Sequence, residues 1–181
     1  MTITLEHELT LLAGLLGQPE PGSLAAVEEM AIELPGLQAV CPELRGISLE
    51  SWQAEHTRLF VNGFPTTPCP PFESFWRHGV LGGDCVQAIA GLYQRAGVAA
   101  DPDISPDFLG SMLDLAAHLA AQRVAQADLR WELWEEHLAI WVPRFATRLK
   151  ESAGLALYGF LGSRLLDLFG GDHARHPAKP L

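Results

Sequence analysis

"DPDISPDFLGSMLDLAAHLA", residues 101–120, is the stretch whose reading decides the fold. Ser105 is a good N-cap, Pro106 suits the first helical position, and Asp107 favours the first turn, where backbone N–H groups lack partners. From there Phe108, Met112, Leu115, Ala116 and Leu119 recur at three- and four-residue steps, the spacing of one helical face. A strand would alternate apolar and polar residues, and no alternation of convincing length occurs here or elsewhere in the chain.

Working outward, the same periodicity repeats. Leu5, Leu9, Leu12 and Leu16 form an apolar stripe that stops at Pro19 and Pro21. A second helix is expected from Ser23 to Leu34, ending at Pro35-Gly36. A third begins at Ser48, with Glu50 in its first turn, runs through Trp52, His56, Leu59 and Phe60, and is ended by Gly63. Asp84 is expected to cap a helix bearing Val86, Ile89, Ala90 and Tyr93 and ending at Gly97. A long stripe from Asp128 carries Trp131, Trp134, Leu138, Trp141, Val142, Phe145 and Leu149, with a kink or split expected at Pro143. The last helix holds Tyr158, Leu161, Leu165, Leu168 and Phe169 and ends at Gly170-Gly171. The expectation is an all-α, single-domain helical bundle of six or more helices over residues 1–170, with 171–181 as a flexible tail.

Composition bounds the function. The 181 residues are 48% hydrophobic and 19% charged, the profile of a globular chain rather than a disordered one. Twelve Lys and Arg against 22 Asp and Glu give a formal charge of −10. Residues 1–44 hold carboxylates and no Lys or Arg, and Asp101, Asp103, Asp107 and Asp114 lie in another stretch without basic residues. That distribution disfavours nucleic acid and favours a cationic partner. No apolar run is long enough to span a membrane. The N-terminus has glutamates where a secretory leader needs positive charge, so a cytoplasmic location is expected. Cys41, Cys69 and Cys85 are odd in number and read as reduced thiols.

Chemistry is sparse. Cys69, His78 and Cys85 match no compact zinc spacing, and His173 with His176 reads as a solvated pair, so no metal and no cofactor is expected. Ser74, Ser111 and Ser163 lie in no nucleophile motif, and no glycine-rich phosphate loop is present. His56 reads as a core or interface residue, and Trp131, Trp134 and Trp141 as core. The remaining anomaly is "TTPCPPFESFW", residues 66–76. Pro70-Pro71 fixes an extended backbone before anything binds, Phe72, Phe75 and Trp76 offer apolar area, and Glu73 and Ser74 offer polar groups. Two readings stand: a binding surface for an apolar peptide bearing positive charge, or a turn between helices with Glu73 at the cap.

"EHTRLFVNGFPTTPCPPFESFW", residues 55–76, resembles the E-Y-x-R-L-F…P-P-Y-E-S-x-[YW] signature of the TorD/DmsD/NarJ family of redox-enzyme maturation chaperones. "DFLGSMLDLAAHLA" occupies the place of that family's D-H-x-x-x-x-L-x-x-[ML] helix. "HLAIWVPRFATRL" is similar to its H-L-x-x-W-x-P-x-F segment, followed by a closing helix with Tyr158. The resemblance implies an all-helical TorD-like fold and a cytoplasmic chaperone without catalysis of its own. It would bind the twin-arginine signal peptide of the catalytic subunit of a molybdenum-dependent oxidoreductase, holding the apo-subunit for cofactor insertion. It would act as a monomer or homodimer. The implied peptide-binding residues are Pro70, Pro71, Phe72, Glu73, Ser74, Trp76, Asp107 and Phe108. Phe108 stands where the family has histidine, and His56 where it has tyrosine. The competing reading is a helical enzyme or nucleotide-handling protein using Glu73 and Asp107 as acid–base groups.

Overall fold

A computed structural model describes residues 3–122 and 126–171. The expected tail, with His173 and His176, lies outside the described residues apart from Gly171. The elements are α1 (Leu5–Gly14), α2 (Ser23–Glu33), α3 (Cys41–Arg45), α4 (Leu49–His56) and α5 (Glu73–His78). They continue with α6 (Asp84–Ala96), α7 (Leu109–Ala121), α8 (Ala127–Glu132), α9 (Ala139–Ser152) and α10 (Ala156–Phe169). Among the described residues the sole β pairing is an isolated antiparallel bridge between Phe72 and Phe108. The all-α expectation holds.

Two helix pairs organise the bundle: α1 packs along α7, and α9 along α10. The apolar stripes meet in one core, where Leu9, Leu12, Met112, Trp141, Phe145, Leu149, Tyr158 and Leu161 are all fully buried. Each full burial of such a side chain stabilises by roughly 1.5–3 kcal/mol relative to exposure. The α9–α10 hairpin is fastened from outside by acids of other helices. Glu55 Oε1 accepts from the Gly154 N–H at 2.6 Å, and Glu43 Oε2 from the Ala156 N–H at 2.7 Å, supplying partners that a helix start lacks. Arg58 grips Glu55 through two hydrogen bonds and donates a third to the Ser152 carbonyl. The E-x-x-R of residues 55–58 is therefore a clamp on the hairpin.

Local signals hold where they are local. Ser48 Oγ accepts from the Ser51 N–H, capping α4 as expected. α10 ends at Gly170. α4 passes into a wide π turn, Thr57–Val61, closed by Asn62 N–H donating to the Thr57 carbonyl. Gly63 follows because the chain doubles back there. A Cβ at this position would stand 2.6 Å from the Arg58 carbonyl oxygen and 2.7 Å from Pro68.

Three expectations shift. Asp84 is the first residue of α6 rather than its cap, which falls to Gly83 at φ +92°, a left-handed conformation that glycine adopts freely. The long segment from Asp128 is not split at Pro143, which lies inside α9; the interruption is a π turn upstream, Leu133–Leu138. And α7 begins at Leu109, not at Pro106. Residues 105–108 form a turn, with Phe108 N–H on the Ser105 carbonyl, because the next residues are drawn into pairing with the proline loop.

Candidate functional site

That pairing builds the site. The Glu73 N–H donates to the Asp107 carbonyl at 3.1 Å, and the Leu109 N–H to the Pro71 carbonyl at 2.8 Å. The Asp107 side chain, only 1% exposed, adds a third tie: its Oδ2 accepts from the Ser74 N–H at 2.9 Å, while Oδ1 takes the Ser105 hydroxyl. Asp107 thus serves the start of α5 instead of its own helix. The two extended pieces run side by side, and their outward residues, Phe72 and Phe108, become neighbours with ring centroids 5.7 Å apart.

Phe72 and Phe108 form one wall of a cleft of about 930 Å³. Pro70, Pro71 and Phe75 continue that wall. The lining also takes in Leu16, Gly17 and Gln18, which follow α1, and His56, Phe60 and Val61 of α4 and its π turn. Thr66, Thr67, Gly79, Val80, Leu81 and Ile104 also line it, and Val80, Leu81 and Ile104 stay exposed, as does Val61. Large apolar side chains left in solvent around one cleft mark a surface that something covers.

Among the described residues no carboxylate lines this cleft, and His56 is the one ionisable residue that does. His56 is buried, its Nε2 meets the Leu16 carbonyl at 3.1 Å, and burial holds its pKa below the usual histidine range despite that carbonyl. Its ring packs edge-on against Phe60 and tilts toward Tyr158. Tyr158 is fixed in turn by the Trp52 indole N–H at 3.1 Å. His56, Phe60 and Tyr158 therefore form one cluster of mutually packed rings, of which His56 and Phe60 reach the cleft.

Of the residues singled out by sequence, Pro70, Pro71, Phe72 and Phe108 stand on the cleft lining, whereas Glu73, Ser74, Trp76 and Asp107 stand behind it. Glu73 is fully buried and its carboxylate is committed to Arg77 at 2.6 Å and to His137 Nδ1 at 2.9 and 3.0 Å. Ser74 is also fully buried. The Trp76 indole N–H donates to the Pro70 carbonyl at 2.7 Å, and its ring sits against Phe145 with the Arg144 guanidinium 5.9 Å away. These side chains brace the loop that the aromatics decorate. The acid–base reading loses its geometry here, since a ligand in the cleft meets neither the Glu73 nor the Asp107 carboxylate. Among the described residues, no three His, Cys, Asp or Glu side chains are placed to share a metal ion.

The cleft side formed by Leu16–Gln18, His56 and Phe60 escaped the sequence reading. Its one signal was His56 on an otherwise apolar helix face.

The chain is thus a single all-helical bundle that carries an apolar cleft with a buried polar brace behind it. Residues 24–147 match the family described as nitrate reductase delta subunit, and the chain belongs to that family, of the NarJ/TorD type of redox-enzyme maturation chaperones. A solved structure from Archaeoglobus fulgidus, described as a redox enzyme maturation protein, superimposes with a TM-score of 0.66 at 23% identity. The match covers 91% of this chain and 93% of that one, a likeness of fold. No curated protein matches the chain significantly. Among the described residues no helix is long and apolar enough to cross a membrane.

Proposed function

We propose that the chain is a system-specific chaperone that holds the N-terminal signal peptide of an oxidoreductase catalytic subunit while that subunit receives its molybdenum cofactor. The observation that carries this reading is the cleft of about 930 Å³, lined among the described residues mainly by apolar side chains and by no carboxylate. A helix with side chains is about 10–12 Å across, so the cleft accommodates roughly six residues, nearly two turns. That suits the apolar part of a leader peptide and is too short for a whole one.

The arginines of such a leader then lie outside. Asp101 and Asp103 are exposed and immediately precede Ile104 on the rim, and Glu20 is exposed two residues beyond Gln18. Pairings of this kind contribute about 0–1 kcal/mol each and weaken with salt. Charge speeds the encounter; affinity comes from apolar burial in the cleft, at roughly 25 cal/mol per Å² before entropy costs.

Calorimetry with three peptides tests this: a twin-arginine leader, the same leader with both arginines changed to glutamine, and one whose apolar segment is interrupted by two aspartates. The first should bind, the second should bind several-fold more weakly at low salt and nearly equally at high salt, and the third should fail. Equal binding of all three would remove the basis for signal-peptide recognition. Co-purification from the native cell adds a check on timing, since the chaperone should accompany cofactor-free catalytic subunit and be absent from the mature enzyme.

A further inference from the structure

Phe108 is not simply one more apolar residue on the cleft wall, because the chain makes a particular seat for it. Gly110, two residues on, is buried in the first turn of α7. A Cβ placed there would lie 2.5 Å from Phe108 Cε1, 3.1 Å from Cζ and 3.2 Å from Cδ1. Real Cβ atoms do not approach a ring so closely, so the ring occupies space that glycine alone leaves open. Backbone conformation does not call for glycine here: Gly110 is a helical residue with no left-handed φ, at a position where alanine is the better helix former. Phe72 limits the ring on one side at 5.7 Å, and the open cleft lies on another. A ring displaced from Gly110 therefore moves into the cleft.

We infer that Phe108 and Gly110 together set the width of the cleft, and so select the size of the apolar side chains it accepts. With the ring drawn back onto Gly110, the cleft takes segments with bulky side chains such as phenylalanine. With the ring displaced, it takes small ones only. This inference rests on the reading of the cleft as a peptide site and names which apolar segments fit.

The probes are two synthetic peptides with the same flanks and a leucine–alanine segment in which the central residues are either phenylalanine or alanine. Gly110→Ala should weaken binding of the phenylalanine peptide by about tenfold and leave the alanine peptide within about twofold, the discrimination expected when a pocket loses one or two methylene volumes. Phe108→Leu in the Gly110→Ala background should restore the phenylalanine peptide, because the shorter side chain no longer needs the seat. Should Gly110→Ala lose helicity by circular dichroism, Phe108→Trp on the native Gly110 decides instead. It overfills the same seat and should produce the same ranking. Unchanged ranking, or an equal loss for both peptides in a folded variant, overturns the inference, as does failure of the leucine rescue. If the unsubstituted chain binds neither peptide, the peptide-site reading falls as well, an outcome separable from the others because it appears before any substitution is made.

Discussion

Replacing Glu73 by alanine separates a residue that holds the fold from one that holds a ligand. Its carboxylate is 0% exposed and accepts hydrogen bonds from Arg77 and from His137, whose side chain is 7% exposed. Removing one member of a buried charged cluster destabilises by about 3–5 kcal/mol, since the partners keep their desolvation cost without the compensating bond. Arg77 is 31% exposed and can turn to water, which places the effect near the lower limit, about 3 kcal/mol. For a chain of this size each kcal/mol shifts Tm by roughly 2–4 °C, so Glu73→Ala should melt about 6–12 °C lower. Glu73→Gln keeps the shape and one acceptor, and should lose about half as much. Thermal unfolding followed at 222 nm measures both, and leader-peptide binding well below the transition should stay within about twofold of the unsubstituted chain. A variant that melts within about 2 °C of the parent yet binds the peptide about tenfold more weakly would refute the reasoning, and would place Glu73 in contact with the ligand.

The cleft side predicts the opposite pattern. Phe72→Ala removes half-buried ring area that a bound segment would cover, so it should weaken peptide binding by about 1.5 kcal/mol, roughly tenfold, and move Tm by only a few degrees; a large loss of stability with intact binding would contradict it. Cys69 is fully buried with its thiol pushed up to about 11, and Cys41 and Cys85 are buried as well. At about pH 8 the Cys69 thiolate fraction is near one thousandth. A thiol reagent should therefore titrate no cysteine in the native chain and all three in urea, and one fast native equivalent would show the packing to be wrong. Burial lowers the pKa of His56, so the unfolded chain takes up this proton first on acidification. Its stabilising share is complete above the unfolded value near 6.5 and declines as pH falls below it toward the folded pKa. His56→Phe should flatten that part of the stability profile, measured by urea midpoints between about pH 7 and 5; an unchanged slope would assign the acid sensitivity elsewhere.

How far the sequence could be read depends on the distance over which each feature is determined. The stripes of α1, α7, α9 and α10, the Ser48 cap and the Gly170 stop depend on neighbours within a few positions, and these expectations held. The start of α7 did not, because Asp107 is claimed by Ser74, 33 residues away, and no local rule contains that competition. A bridge of one residue pair is also too short to leave a period-two pattern. The π turns at Thr57–Val61 and Leu133–Leu138 likewise read as plain helix, since one extra residue per turn barely changes the spacing of apolar positions.

For the cleft, the residue types were legible and their orientation was not. Pro70, Pro71, Phe72 and Phe108 line it, while Glu73, Ser74 and Asp107, next to them in sequence, are buried behind it. At the bridge itself Phe72 and Phe108 reach the cleft, whereas Glu73 opens α5 and Asp107 gives its carboxylate to the Ser74 N–H and the Ser105 hydroxyl, so each polar neighbour is held behind the wall. Polar residues in such a motif invite assignment as ligand contacts because they are the chemically conspicuous ones. Yet the short pairing of 71–73 with 107–109 buries two carboxylates, and these need partners: Glu73 has Arg77 and His137, and Asp107 has the Ser74 N–H and the Ser105 hydroxyl. An apolar wall and a buried polar brace are then two faces of one short pairing, and changes to the brace should reach the ligand only by moving the wall.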